Sequence, residues 1–284
     1  MTSVAVGMTI EELQRMKERA QPIVMVTAFD YPSGRVAERA GVDVVLVGDS
    51  AAMTMLGYPS TREVSLEEML MLTRAARRGV THPLLVGDMP FGTYESSDSI
   101  AVASAKKFAD AGCAGVKIEG AGPMLARVRA ITAAGIPVMG HVGLKPQGVT
   151  NAEEYRARGR MADEAMTIIQ DAVALEEAGA FSIVVEAVAA PVVDALMARV
   201  DVPVIGIGAG PAPDGQVLVY HDLVGWTETR PAKFVRKYAA VGDLMVEAVT
   251  AFAADVRAHR YPAPEHMYGM SADELARFKE QASR

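Results

Sequence analysis

This 284-residue chain predicts a (β/α)8 barrel, and three observations carry that expectation. Eight short apolar runs rich in branched residues are spread along it, helix-periodic stretches separate most of them, and several of those stretches end in Ala-Gly just before the next run. Runs of this kind read as strands buried on both faces, as in parallel sheets covered by helices. The length also fits, since such barrels commonly run to roughly 250 residues. A doubly wound open sheet is the rival, but it usually has fewer strands and a clear switch point.

In chain order, Thr9 with Glu12 three residues later forms a capping box, so a helix should start there and run to about Arg19. Strands are expected at 23–29, 42–48, 83–87, 115–118, 137–140, 181–185, 203–207 and 216–220. Ala40-Gly41, Ala111-Gly112, Ala134-Gly135 and Ala178-Gly179 each precede a strand. The glycine has a physical task there, because the residue past a helix end often takes a left-handed conformation that glycine adopts at little cost. Helices are expected at 65–78, opened by a Ser65/Glu68 capping box, and at 96–111, 121–134 and 161–178. The polar, Gly-containing stretch 143–160 reads as a lid or a long surface loop, and 221–237 as loop-like at its start. A helix over about 243–259, a Pro-containing linker at 261–264 and a capped helix from Ser271 close the chain. The expected organisation is one barrel domain over 1–284, with its core at about 20–260 and a helical extension at about 261–284.

Half the residues are hydrophobic and only 6% are aromatic, so branched aliphatics and alanine must do the packing. The formal charge of −7 argues against nucleic acid or an anionic membrane as the main partner. A single cysteine, Cys113, excludes an internal disulfide and suits a reducing compartment. The opening residues lack a basic, then apolar, leader pattern, and no stretch reaches the roughly 20 apolar residues a spanning helix needs. A soluble cytoplasmic protein is the expectation.

The chemistry is expected where the strands end. VVLVGDS (44–50) and LLVGDMP (84–90) are two apolar runs that both close on Gly-Asp, one helix apart. An unpaired carboxylate is too costly to bury as core filler. Asp49 and Asp88 meeting at a common rim would instead share a hard cation. The strand ends also carry Ser50, Lys117, Glu119, His141, Glu186 and His221. Carboxylates in this number suit Mg²⁺, whereas no HExxH and no cysteine pair is present for Zn²⁺. Lys117 reads as a charge stabiliser or a Schiff-base nucleophile, and neighbouring carboxylates favour the first. Each residue has an ordinary reading too: an N-cap for either aspartate, a surface ion pair for Lys117 and Glu119, a satisfied core histidine for His141, a small buried hydrophobe for Cys113. GIGAG (206–210) lacks dinucleotide spacing and reads as tight packing at the seventh strand.

Taken together, TAFDYPSGRVAERAGVDVVLVGDS, LLVGDMPFGTY, GVKIEG, GHVGLKPQ, VPVIGIGAG, DGQVLVYHD and KFVRKYA resemble the ketopantoate hydroxymethyltransferase family, in order, from about Thr9 to His266. The resemblance implies a barrel enzyme of pantothenate and coenzyme A biosynthesis that uses one Mg²⁺ per subunit. It implies one-carbon transfer from 5,10-methylenetetrahydrofolate to 3-methyl-2-oxobutanoate, giving 2-dehydropantoate and tetrahydrofolate. Asp49 and Asp88 carry over as metal ligands, with Glu119 as a third acidic group at the metal, acting directly or through water. Asp49, Ser50, Asp88, Lys117 and His141 match substrate-contacting positions, and Glu186 matches the catalytic base. A homo-oligomer, usually a decamer, is implied as well.

The residue chemistry agrees with that reading. A Lewis-acidic metal would stabilise the enolate formed when the C3 proton leaves a 2-oxo acid. Glu186 would need partial desolvation to accept that proton. Two other classes stay open: a lyase or mutase of the isocitrate lyase or phosphoenolpyruvate mutase type, which needs a reactive cysteine in a loop, and a silent barrel scaffold, which should have lost its acidic rim.

Overall fold

Eight parallel strands pair in chain order and close, the last against the first. The computed structural model describes residues 7–151, 154–227 and 231–283. Residues 1–6, on which part of the leader reading rests, and parts of the 143–160 and 221–237 stretches lie outside them. The strands are β1 (Ile23–Thr27), β2 (Val44–Val47), β3 (Leu84–Asp88), β4 (Gly115–Lys117), β5 (Val138–Gly143), β6 (Ala180–Glu186), β7 (Val204–Ile207) and β8 (Gly215–Leu218). Ahead of them stands α1 (Ile10–Glu18), and between them α2 (Tyr31–Ala40), α3 (Ala51–Thr54), α4 (Leu66–Gly79), α5 (Asp98–Asp110), α6 (Met124–Ala133), α7 (Ala162–Glu177) and α8 (Ala190–Met197). The short helix α9 (Tyr220–Val224) follows β8.

Local chemistry explains the boundaries. Thr9 accepts from the backbone N–H of Glu12 and starts α1, and Ser65 and Glu68 cap α4 reciprocally. Strand β1 stops two residues short of the expected Phe29, because Phe29 and Asp30 turn their backbone N–H groups to Ser33 Oγ in the capping box of α2. Gly41, Gly112, Gly135 and Gly179 all take the left-handed φ expected after a helix. Strands β5 and β6 run longer than expected, pairing as far as Gly143 with Glu186, so His141 sits inside β5 instead of ending it. The crossover from β7 to β8 over 208–214 contains no helix.

Side-chain alternation sorts the strands into two layers. Val45, Val47, Leu85, Val116, Ile183 and Val185 face outward into one cluster with the helices. Met25, Val44, Leu46, Val86, Met139, Val184 and Ile205 form a second, inner cluster, joined by Leu13 and Met16 of α1. Continue that inner parity toward the strand ends and the next residues are Asp88, Lys117, His141 and Glu186. The same period of two that fills the barrel with aliphatics therefore delivers ionisable groups to its C-terminal mouth, where barrel enzymes hold their active sites.

The chain divides into two compact units, Met1–Tyr238 and Ala239–Arg284. The second holds α10 (Val241–Arg257), a 3-10 turn at Pro264–His266 and α11 (Ala272–Ala282), whose cap Ser271 accepts from Glu274 N–H. The boundary thus precedes α10 and not the proline linker. No helix among the described residues is long and apolar enough to cross a membrane.

Gly143 joins the fold to the site. Its φ is +93°, and a Cβ there would meet the Glu186 carbonyl oxygen and the Val188 side chain. Gly41, at φ +70°, has open space instead. Gly143→Ala should therefore lower stability by about 2 kcal/mol or more and reduce turnover, while Gly41→Ala costs about 1 kcal/mol and spares it. Chemical denaturation and an activity assay on both variants check this; equal losses would contradict it.

Candidate active site

The β3–β4 register sets Asp88 beside Lys117. The Lys117 ammonium donates to both carboxylate oxygens of Asp88, at 2.7 and 2.9 Å, and lies 3.8 Å from Glu119 Oε1. Asp49, just past β2, donates its backbone N–H to Asp88 Oδ2 at 3.2 Å. Asp49, Asp88, Lys117, Glu119 and His141 are all at most 6% exposed. The aspartates are thus neither N-caps nor surface groups. Lys117 and Glu119 are no surface pair either.

Two residues that sequence reasoning passed over complete the cluster. The stretch after β5 turns inward as a 3-10 turn at Pro146–Gly148 and buries Gln147, so 143–160 is not simply a surface loop. Gln147 Nε2 donates to Asp49 Oδ2 at 2.9 Å and to the Met89 carbonyl at 3.0 Å, and its backbone N–H donates to Glu119 Oε2 at 3.0 Å. The buried Tyr94 hydroxyl donates to Gln147 Oε1 at 2.6 Å and accepts from Glu119 N–H. Outside the cluster, Arg62 donates to the Gln147 carbonyl at 2.6 Å and stacks over Phe91. The available signal was a glutamine soon after a strand, inside GHVGLKPQ.

His141 lies between two carboxylates, with Nδ1 3.4 Å from Glu119 Oε1 and Nε2 3.3 Å from Glu186 Oε2. These are ion-pair distances without aligned hydrogen bonds, so both ring nitrogens and Glu119 Oε1 lack hydrogen-bond partners among the described residues. Glu186 closes β6 with its side chain 17% exposed, at the edge between the buried cluster and the mouth. Ser50 leaves its side chain out of any helix cap and, with Glu186, lines the mouth cavity.

The charges oppose one another. Burial raises the pKa of Asp49 well above the ordinary carboxylate value, and repulsion from Asp88 adds to it. Burial also raises Asp88, with Lys117 opposing. Burial alone would lower Lys117, but Asp88, Glu119 and Asp49 hold it above its usual value. It is therefore an ammonium, not a free amine nucleophile. Burial and Lys117 push His141 down, yet Glu119 and Glu186 outweigh them and carry it up to about 9. Glu119 is lowered despite burial, chiefly by His141.

A divalent cation fits this donor set. The acidic groups supply hard oxygens, burial and repulsion from Asp88 disfavour the charge of Asp49, and Glu119 Oε1 is a buried acceptor without a hydrogen-bond partner among the described residues. Among the described residues no three His, Cys, Asp or Glu side chains converge tightly enough to ligate one ion directly. Ligation by the Asp49 and Asp88 pair, with water and substrate oxygens completing the shell, matches the habits of Mg²⁺.

Other strand-end groups lie elsewhere. His221 is buried in a stack with Phe29 and Trp226. Cys113 sits behind Gly87 beside Phe108, and burial pushes its thiol up to about 12, which makes it no nucleophile. In GIGAG, Gly208 takes φ +63° with the Phe234 ring where a Cβ would stand, so tight packing accounts for it.

The fold and this acidic mouth define a class of barrel enzymes. Solved structures of phosphonopyruvate hydrolase (14% identity, 98% of this chain and 97% of that one, TM-score 0.61) and of 2,3-dimethylmalate lyase, a PEP mutase/isocitrate lyase superfamily member (15%, 96% and 98%, TM-score 0.57), share the fold. Residues 7–264 match the family model described as ketopantoate hydroxymethyltransferase. Proteins named 3-methyl-2-oxobutanoate hydroxymethyltransferase are 49% identical in Aeropyrum pernix (91% of this chain, 94% of that protein) and 45% identical in Nitratidesulfovibrio vulgaris (95% and 88%). The chain belongs to the ketopantoate hydroxymethyltransferase family.

Because its folded pKa of about 9 lies above the ordinary 6.5, protonated His141 stabilises the fold. That contribution is complete below about pH 6.5 and is lost as pH rises through about 9. The destabilisation caused by His141→Asn, followed by urea unfolding without divalent cation, should shrink between these limits by on the order of 2–3 kcal/mol. A penalty independent of pH would show that His141 is buried neutral.

Proposed function

We propose that the protein transfers a hydroxymethyl group from 5,10-methylenetetrahydrofolate to 3-methyl-2-oxobutanoate, giving 2-dehydropantoate and tetrahydrofolate. The observation that carries this reading is the buried Asp49–Asp88–Lys117–Glu119 cluster, with Glu186 at its open edge. Asp49 and Asp88 would hold one Mg²⁺ per subunit, with Glu119 acting through water. When bound, the ion supplies Lewis-acid polarisation of the 2-oxo acid.

The chain's own groups do the rest. The Lys117 ammonium offsets the negative charge that grows on the substrate oxygen during enolisation. Glu186 Oε2 takes the C3 proton, and the electrons of that C–H bond move into the enolate. Protonated His141, facing Glu186 on one side and Glu119 on the other, fixes the orientation of the base. Gln147 positions Asp49 and Glu119 at once. The C3 carbon then attacks the methylene carbon carried by the folate. Of the two C–N bonds that hold this carbon on the carrier, one gives way to the new C–C bond and the other to a C–O bond from water, and the carrier's two nitrogens take up the C3 proton and a proton of that water. The family resemblance further supports a cytoplasmic homodecamer as the working form.

Glu186→Gln keeps the shape and removes the base. It should lower kcat about 10²–10⁴-fold. It should also suppress Mg²⁺-dependent exchange of the C3 hydrogen of 3-methyl-2-oxobutanoate with D₂O, followed by NMR without folate. Exchange at the wild-type rate in Glu186→Gln, or 2-dehydropantoate formed equally well in EDTA, would remove the reading.

A further inference from the structure

The cavity at the barrel mouth has a volume of about 1510 Å³. Pockets for drug-sized ligands run to roughly 300–1,000 Å³, so a five-carbon keto acid leaves most of this one unfilled. Ser50 and Glu186, beside the buried cluster, line it together with Asp222, Trp226, Arg156 and Lys233. The reacting carbon of a one-carbon carrier has to reach the Glu186 end, so the body of that carrier must lie in the remainder.

Granted the reduced-folate donor proposed above, on which the assignment rests, we infer that the rest of this cavity is the carrier's subsite: Trp226 stacks on the pterin ring, Asp222 accepts from its N3–H and 2-amino edge, and Arg156 and Lys233 receive the glutamyl carboxylates.

Three features support it. Trp226 is 42% exposed, yet it is held on one side by the His221 ring at 4.9 Å and 30°, which in turn stacks on Phe29 at 5.4 Å and 24°. A surface tryptophan braced by two further rings keeps a fixed plane, which is what a flat heterocycle needs as a platform. His221 serves as packing there: both ring nitrogens lack partners among the described residues, and burial lowers its pKa toward the neutral ring. Asp222 is half-buried and oriented by the Thr227 hydroxyl, which donates to Oδ1 at 2.7 Å, while Oδ2 has no hydrogen-bond partner among the described residues. A carboxylate with free acceptor capacity matches the paired N–H donors on the pterin edge. Arg156 and Lys233 form no ion pair among the described residues, which leaves two cations at the mouth of a chain whose formal charge is −7.

The chain contains a single tryptophan, so its fluorescence reports on this position alone. Titrating the full-length protein with 5-formyltetrahydrofolate, in the presence of Mg²⁺ and keto acid, should quench that emission saturably. Trp226→Ala should raise KM for 5,10-methylenetetrahydrofolate by about 10-fold or more, in line with loss of one aromatic stacking partner. KM for 3-methyl-2-oxobutanoate should change by less than about 2-fold, and Trp226→Phe should recover most of the loss. A wild-type enzyme that uses the folate donor without quenching, and a Trp226→Ala variant with unchanged KM for it, would overturn the subsite while leaving the reaction standing. A wild-type enzyme that exchanges the C3 hydrogen but takes no carbon from the folate would overturn the donor, and the subsite with it.

Discussion

The buried bidentate contact between Lys117 and Asp88 organises the mouth of this barrel. It places a positive charge among three buried carboxylates, of which Glu119 also faces protonated His141. Removing one partner of such a pair is expected to cost about 3–5 kcal/mol, because the other is left buried and charged. The arrangement is unfavourable for stability by itself, since apolar residues would fill the same space without a desolvation penalty. The excess of negative charge is what the divalent cation proposed for this site would offset. Asp49 and Asp88, both raised by burial, wait on that compensation.

A second constraint is the segment after β5. Gln147 carries hydrogen bonds to Asp49, Glu119, Met89 and Tyr94, and Arg62 fastens its carbonyl from outside. Segments just past β2, β3, β4 and β5 are thereby tied through one residue. The Gly143 backbone makes this possible: its positive φ lets β5 end against Glu186 and turns the chain inward. The placement of Glu186 and that of the acidic cluster thus share one glycine.

Much of this was legible from the residues. All eight strands were, because strands buried on both faces leave uninterrupted branched runs, and glycines at helix ends marked their starts. The ionisable strand ends were visible as well, since Gly-Asp after VVLV and LLV breaks the apolar pattern abruptly. What stayed hidden depends on long-range packing. Gln147 and Tyr94 lie in polar, Gly-containing stretches that look like solvent-facing loop until the barrel closes around them. His141 looked like the end of its strand because the β5–β6 ladder beyond it is set by a partner strand, not by local sequence. His221 has the composition of a site residue, but its neighbours are aromatic, and only the fold brings Phe29 and Trp226 to it. The edge of α9 was missed since a helix this short has little periodicity to read.

We propose that Asp49 and Asp88 converge to hold a divalent cation. Calorimetric titration of Mg²⁺ into the full-length protein, with 3-methyl-2-oxobutanoate present, addresses it without reference to turnover. One site per chain in the wild type, weakened by about 10-fold or more in Asp49→Asn with the fold intact by circular dichroism, is the expected result. Absence of Mg²⁺ binding, or equal affinity in Asp49→Asn, would contradict it.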